Sequence, residues 1–268
     1  MRDSPRFAFF VNSTLAFACA QLLGSALHEA GHGIAAQLLG FSPRIYAFFE
    51  DNPTGTPAQT LLILAAGPVT SLVLGAAFFA WYRLSKPHYT FGRLLLFWLA
   101  VLSGMTFVNY LIVTPFLAAG DTAQFADILG WPVLARYAVA AVGVLFVLAL
   151  SRPAATAMLG VAPASIETDS VGARRRFILH GFYLPLLAGL VLTAVAGIGG
   201  RPINVFYGLL GTLGNIDIVV AALYARVAEP SEGARSPDAP LRIAPAGIAL
   251  YLALVATYIF AFSRGVPV

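Results

Sequence analysis

The sequence predicts an all-α fold, a polytopic transmembrane helical bundle with six to seven spans. Hydrophobic residues make up 59% of the 268 positions and charged residues only 10%, whereas about a quarter of the residues in soluble domains are charged. The mean hydropathy is +0.82. Apolar runs of about 20 residues, long enough to cross a bilayer as a helix, recur along the chain. We therefore expect a multi-pass integral membrane protein.

The first apolar run is longer than one span requires. As a single helix it would be about 50 Å long against a hydrocarbon core of about 30 Å, so it has to tilt, break or begin at the interface. Gly24-Ser25 is a suitable place for a bend. The sequence predicts a loop at residues 41–57, which includes a short interfacial strand near 44–49. It also predicts a flexible loop at residues 226–242. We expect spans at about 7–39, 58–81, 94–117, 133–150, 177–196, 203–224 and 243–262.

Basic residues are distributed unevenly over the predicted connections. The net charge is +4, and twelve of the sixteen Lys and Arg residues fall in alternate connections. With seven spans, the positive-inside tendency puts the N-terminus in the cytoplasm and the C-terminus outside. The arginines fit this membrane orientation better than a nucleic-acid partner, because they form no basic stripe. The single cysteine, Cys19, excludes an internal disulfide.

The strongest local signal is His28-Glu29-Ala30-Gly31-His32, an H-E-x-x-H motif inside the first apolar run. On a helix, residues four apart share one face, so both imidazoles can bind one Zn²⁺. Glu29 then stands where it can take a proton from a water that zinc has acidified. Chance predicts on the order of 10⁻³ such motifs in a chain of this composition. The alternative is that backbone carbonyls, or the histidines themselves, satisfy the two rings.

A catalytic zinc site uses three protein ligands and leaves the fourth tetrahedral position open. Asp121 is the best candidate for the third ligand, because it follows the third predicted span and Gly120 permits an unusual backbone beside it. Asp127, the other nearby carboxylate, has no such setting. The alternative for Asp121 is that it only caps a helix or is solvated in a loop.

Three stretches of the sequence resemble the site-2 protease family of intramembrane zinc metalloproteases. They are the motif at 28–32, Ala65-Ala66-Gly67-Pro68, and a region that contains Asn109, Pro115 and Asp121. The resemblance covers roughly residues 10 to 130. In the third stretch Gly120 precedes the aspartate, whereas the family usually has Leu-Asp-Gly, and Ser71 stands where many members have asparagine.

The resemblance implies a three-span catalytic core that binds Zn²⁺ and cleaves a membrane-spanning or membrane-adjacent segment of another protein. It implies His28, His32 and Asp121 as zinc ligands and Glu29 as the general base. Asn109 is a candidate for orienting the substrate or stabilising the oxyanion, since an amide N–H can meet developing negative charge.

We expect residues 1–130 to form this site-2-protease-like membrane core, and residues 131–268 to add transmembrane helices of unknown role. The expected partners are the lipid bilayer and a membrane-protein substrate, with no nucleic acid. The expected location is a bacterial cytoplasmic membrane. The sequence does not indicate an oligomeric state.

Two other functions are compatible with the sequence. In a transporter or channel, His28, Glu29, His32 and Asp217 would form a cation or proton path. In an inactive, protease-like scaffold, the same spans would only bind membrane partners. The predicted orientation also places the zinc ligands toward the outer leaflet, whereas the resemblance favours access from the cytoplasmic side. A broken or re-entrant first run would remove this conflict.

Overall fold

The computed structural model describes residues 5–46, 48–51, 55–85, 89–117, 120–198, 213–225 and 241–268, together with positions 202, 206 and 209. It confirms the predicted all-α bundle. Within the described residues, six helical segments are long and apolar enough to cross a membrane. They are Pro5–Leu38, Pro57–Leu84, Phe91–Val113, Val133–Leu159, Val171–Ala196 and Pro245–Arg264.

The elements are named in chain order. The helices are α1 (Pro5–Leu38), α2 (Pro57–Leu84), α3 (Phe91–Val113), α4 (Asp121–Ile128), α5 (Val133–Leu159), α6 (Val171–Ile178), α7 (Leu184–Ala196), α8 (Ile216–Tyr224) and α9 (Pro245–Phe260). A π-helical turn, Leu179–Tyr183, joins α6 to α7, and a 3₁₀ turn, Phe262–Arg264, follows α9. The strands are β1 (Arg44–Tyr46), β2 (Phe49–Asp51) and β3 (Val266–Pro267).

Two helices continue where the sequence suggested an interruption. α1 is α-helical through Gly24 and Ser25, and a Cβ on Gly24 would lie 3.7 Å from Ser103 Oγ, so this glycine packs closely against α3. α5 passes through Pro153 and ends at Leu159, nine residues beyond the predicted end of that span at 150. Packing explains the extension, because Tyr82 of α2 donates a hydrogen bond of 2.7 Å to the Ala157 carbonyl in the added segment.

α1 and α3 run parallel, with α2 antiparallel beside them. The indole N–H of Trp98 on α3 donates to Ser13 Oγ near the start of α1, at 3.1 Å, and further along both helices Ser103 lies beside Gly24. Aromatic side chains fill the space between these helices and α7, and this cluster is the main core. Its largest buried members are Phe9, Phe17, Phe97, Trp98 and Phe182.

α7 runs parallel to α1, and α8 runs back in the opposite direction. At its first end, α8 approaches α3 where Asn109 Nδ2 donates to Asn215 Oδ1, at 3.5 Å. At its last end, the Tyr224 ring lies 5.7 Å from the Arg175 guanidinium of α6. The sixth predicted span, 203–224, contains α8 and would run in the same direction. Part of that span lies outside the described residues. The predicted loop at 226–242 also lies almost wholly outside them.

The described arginines are concentrated at the end of the bundle where α1 begins. Those at this end are Arg6, Arg83, Arg93, Arg152, Arg174, Arg175, Arg176 and Arg242, and those toward the opposite end are Arg44, Arg136 and Arg264. The asymmetry predicted from the sequence is therefore present in the fold. The membrane orientation derived from it stays a prediction.

A small antiparallel sheet of order β2-β1-β3 lies at the end of the bundle where α1 terminates. The predicted strand near 44–49 is in fact two strands, which reverse at Phe48, where φ is 61°. Ile45 of β1 is buried against α1, since a Cβ on Gly33 would lie 3.4 Å from its side chain. β3 pairs with the other edge of β1, so the last described strand is held beside the first helix.

A close approach between α2 and α3 gives a test of the packing. A Cβ on Gly75 would lie 2.6 Å from the backbone N of Gly104, whereas a Cβ on Gly104 would meet nothing within 4 Å. We expect Gly75→Ala to lower the free energy of unfolding by about 1–3 kcal/mol, because backbone has to move. Gly104→Ala is the matched control and should be neutral or slightly stabilising. Unfolding in detergent would measure both, and equal effects would contradict this packing.

Candidate metal centre

Three potential ligand atoms converge between α1 and the start of α4. His28 Nε2, His32 Nε2 and Asp121 Oδ2 are each 3.2 Å from the other two. Zinc ligands at about 2.0–2.1 Å from a tetrahedral metal are about 3.3 Å from one another. The triangle therefore has the size of one face of such a site, and the group could hold a metal ion. The structure brings together all three ligands that the sequence predicted.

The tautomer of His32 is fixed by a backbone carbonyl. His32 Nδ1 lies 2.7 Å from the carbonyl oxygen of Ile63 on α2, and because a carbonyl only accepts, Nδ1 carries a proton. In a neutral ring, Nε2 then presents its lone pair to the triangle. A backbone carbonyl thus binds this histidine, as the alternative to a metal site supposed, but at Nδ1, which leaves Nε2 available as a ligand.

His28 is oriented in a similar way by a hydroxyl group. Its Nδ1 lies 2.9 Å from Ser71 Oγ on α2, and with Nδ1 donating, Nε2 again faces the triangle. Two imidazole lone pairs and a carboxylate oxygen at 3.2 Å repel one another unless a cation or a proton lies between them. A metal ion removes this repulsion. The metal-free alternative is a protonated His32 that donates to Asp121, an ion pair whose separation is also 3.2 Å.

The α3–α4 junction places Asp121 opposite the histidines. Gly120 has φ 103° and ψ 159°, a backbone conformation that essentially only glycine adopts. Thr114 and Thr122 each donate a hydrogen bond of 2.7 Å to the carbonyl oxygen of Tyr110, which ties α4 to the last turn of α3. Asp121 is the first residue of α4 rather than its N-cap. Its carboxylate thus points at the histidines instead of capping the helix.

Electrostatics favours the ionised form of Asp121. Burial alone would raise the pKa of this carboxyl group, but the adjacent His32 and His28 outweigh burial and hold the pKa below its ordinary value. The carboxylate is therefore available as an anionic ligand at neutral pH.

α2 leaves room for the histidines by means of small residues. A Cβ on Gly67 would collide with the His32 ring, and one on Gly31 would collide with the Thr70 side chain. Gly67 belongs to the Ala65-Ala66-Gly67-Pro68 stretch that the sequence placed beside the site. Its role in the fold is close packing against the motif helix.

Glu29 and Asn109 have different positions relative to the triangle. Glu29 is half-buried and close enough to His28, His32 and Asp121 to interact with them electrostatically. Asn109 instead directs its amide toward Asn215 at the first end of α8, at 3.5 Å. Its predicted role at the oxyanion stays a prediction, and the hydrogen bond shows that the amide contributes to the contact between α3 and α8.

Tyr110 is part of the site, although no sequence motif singles it out. Its ring stacks on His28, with centroids 5.5 Å apart and planes inclined by 9°. Its Oη lies 3.4 Å from His28 Nε2. A polar aromatic residue next to Asn109 in an apolar span was the available signal. In the sequence, Ser71 differs from the family pattern but carries no signal of a contact with His28. The Ile63 carbonyl is a backbone group, so the sequence does not predict its role.

Asp217 and His180 are not members of the metal-ligand group. Asp217 Oδ1 accepts a hydrogen bond from the Ile218 N–H, at 2.5 Å, and the exposed His180 donates from Nδ1 to the Arg176 carbonyl, at 2.8 Å. Both contacts are local, with partners one and four residues away in the chain.

Comparisons of this chain with protein-family models, with curated proteins and with solved structures gave no match. The resemblance stated from the short motifs is therefore not extended by whole-chain similarity. The chemistry of the candidate metal centre has to be argued from its own residues.

Ser71 can be tested against a second buried serine. Removing a residue that orients a metal-bound histidine typically lowers metal affinity about 10- to 100-fold, so we expect a loss of that size in Ser71→Ala. Ser103 is buried on α3, and its hydroxyl has no hydrogen-bond partner among the described residues, so Ser103→Ala should leave the affinity unchanged. Competition with a chromophoric chelator measures both variants. Equal affinities would show that Ser71 does not orient His28.

Gly67 provides a steric test. We expect Gly67→Ala to lower metal affinity at least about tenfold, because the new methyl group displaces the His32 ring while the bundle remains folded. Gly92→Ala is the control, since its Cβ would meet only Thr90 Oγ1, at 4.0 Å. Metal content and helical circular dichroism should be measured together. Full metal binding by Gly67→Ala would contradict the described position of His32.

Proposed function

We propose that this protein is an intramembrane zinc metalloprotease that hydrolyses a peptide bond in or near a membrane-spanning segment of another protein. The observation that carries the proposal is the triangle of His28, His32 and Asp121, with Glu29 beside it, inside a bundle of apolar helices. Two imidazoles and one carboxylate are a ligand set found in catalytic zinc sites, which keep a fourth position open.

The donor set favours zinc over the common hard cations. Mg²⁺ and Ca²⁺ prefer six or more oxygen ligands at octahedral or larger sites, whereas two of the three donors here are imidazole nitrogens. The 3.2 Å separations also fit a small tetrahedral site. When bound, zinc supplies a Lewis acid that acidifies water and polarises a carbonyl group.

Each residue of the chain then has a specific task. His28 and His32 remain neutral and fixed through Nδ1 by Ser71 and the Ile63 carbonyl. The Glu29 carboxylate accepts a proton from the attacking water and later delivers it to the leaving amine, as a general base and then a general acid. Its half-buried position next to the ligands suits both transfers.

The position of the site along α1 suits a substrate that enters from the bilayer. His32 lies six residues before Leu38, the end of α1, which is about 9 Å along a helix axis. The site is therefore near the end of the bundle that carries the β-sheet, and the proposed hydrolysis requires water to enter from that end. A substrate helix would have to unwind locally, because its backbone hydrogen bonds shield the scissile carbonyl.

Metal analysis of four proteins tests the ligand assignment. We expect about one zinc per chain in wild type and a strong reduction in Asp121→Ala, because a ligand is lost. Asp127→Ala is the matched control, since Asp127 lies on the same helix but pairs with Arg136 at 2.6 Å, and it should keep its zinc. Glu29→Gln should also keep its zinc. Folded wild type without zinc would refute the proposal.

Activity measurements then separate the proposed function from its rivals. With fluorogenic transmembrane peptides in detergent, we expect Glu29→Gln to lower the cleavage rate about 10²- to 10⁴-fold, the usual contribution of general acid–base catalysis. A transporter would instead change its ion flux in liposomes, and a scaffold would respond to neither assay. Wild-type cleavage rates in Glu29→Gln would exclude Glu29 as the general base.

A further inference from the structure

We propose that Tyr110 is a further catalytic residue, whose hydroxyl group donates a hydrogen bond to the oxygen of the scissile carbonyl as negative charge develops on it. This inference rests on the proposed peptidase function. It gives the oxyanion a donor at the candidate metal centre, where the only earlier candidate was Asn109.

The first argument is the position of the hydroxyl group. Tyr110 Oη lies 3.4 Å from His28 Nε2, close to the 3.2 Å that separates the three potential ligand atoms from one another. It therefore borders the ligand triangle, where it can reach an oxygen that takes up the remaining coordination position.

The second argument is that Tyr110 is held in place by both of the elements that form the site. Its ring stacks on His28 of α1, and its carbonyl oxygen accepts hydrogen bonds from Thr114 and Thr122 at the α3–α4 junction. A Cβ on Gly120 would lie 3.4 Å from the Tyr110 ring, so the glycine leaves space for it. Donors fixed before the reaction are the ones that stabilise developing charge most effectively.

The third argument is the arrangement of alternative donors. The Asn109 amide lies against Asn215, and the Ser71 hydroxyl lies against His28 Nδ1, on the far side of the ring from the triangle. Tyr110 is the next residue after Asn109 on α3, and its hydroxyl faces the ligands. No covalent change at Tyr110 is needed, because the proton stays on Oη while it is shared with the carbonyl oxygen.

Two other roles for Tyr110 make different predictions. If Oη were a fourth metal ligand, the site would be closed, as in structural zinc sites. If the ring only packed against His28, the hydroxyl group would be dispensable. Tyr110→Phe keeps the stacked ring and removes only the hydroxyl. Tyr251→Phe is the matched control, because the Tyr251 hydroxyl donates to the Leu192 carbonyl, at 2.9 Å, in the contact between α7 and α9.

The experiment uses acetohydroxamate, a small chelator whose oxygens bind the open position of zinc sites, and so needs no known substrate. We expect Tyr110→Phe to retain one zinc per chain and to bind the probe about tenfold more weakly than wild type, the effect of losing one hydrogen bond to a charged oxygen. Tyr251→Phe should bind it like wild type. With a cleavable peptide, kcat of Tyr110→Phe should fall about 10²- to 10³-fold with KM unchanged.

Equal hydroxamate affinity in Tyr110→Phe and wild type would overturn this inference and leave the peptidase proposal intact. A phenolate charge-transfer band in the Co²⁺-loaded wild type, absent from Tyr110→Phe, would also overturn it, because Tyr110 would then be a ligand. Wild type that binds neither metal nor hydroxamate would refute the proposed function itself, and this inference with it. The metal content of the same samples therefore identifies which proposal has failed.

Discussion

The mutual repulsion of three electron-rich atoms is the constraint on which this structure depends. His28 Nε2, His32 Nε2 and Asp121 Oδ2 lie 3.2 Å apart in a mostly buried pocket. Nothing in an apolar bundle favours such a cluster unless positive charge is placed inside it, since buried ionisable groups are costly without partners. Much of the surrounding architecture holds these atoms together. Ser71 and the Ile63 carbonyl bind Nδ1 of the two rings. The threonine hydroxyls of the α3–α4 junction bind the Tyr110 carbonyl and so hold α4, which carries the carboxylate, against α3.

Close helix packing provides the necessary precision. α2 reaches the motif helix because it presents Gly67 to His32 and Thr70 to Gly31, and in a membrane small residues are what allow backbones to approach closely. The same principle acts about two turns beyond Gly67, where Gly75 meets the Gly104 backbone of α3. The positions of the imidazoles are therefore set by backbone spacing over several turns. A change in that spacing would alter the coordination geometry without replacing any ligand.

The sequence was informative wherever chemistry depends on residues close together in the chain. The all-α class followed from composition, and the spacing of His28 and His32 follows from helix periodicity. Asp121 was found because a glycine precedes it and a span ends before it, and the structure places it with both histidines. The remaining components depend on tertiary contacts. Tyr110, Ser71 and the Ile63 carbonyl meet the histidines across helix interfaces, which no local pattern encodes. Asn109 illustrates the same limit, because its neighbour Asn215 is 106 residues away in the sequence. α5 extends beyond its predicted end because Tyr82 of α2 donates a hydrogen bond to the Ala157 carbonyl in the added turns.

The pairing of β3 with β1 bears on how the two halves of the chain are related. The motifs lie before residue 130, yet α1 is also covered by elements from the second half. Tyr258 of α9 donates to the Leu22 carbonyl at 2.6 Å, and a Cβ on Gly33, one residue after His32, would lie 3.0 Å from Val268. The helix that carries the motif is thus packed against segments that lie more than 200 residues later in the chain. Without those segments the motif helix would lack part of its packing, so the geometry of the metal centre depends on contacts from both halves of the chain.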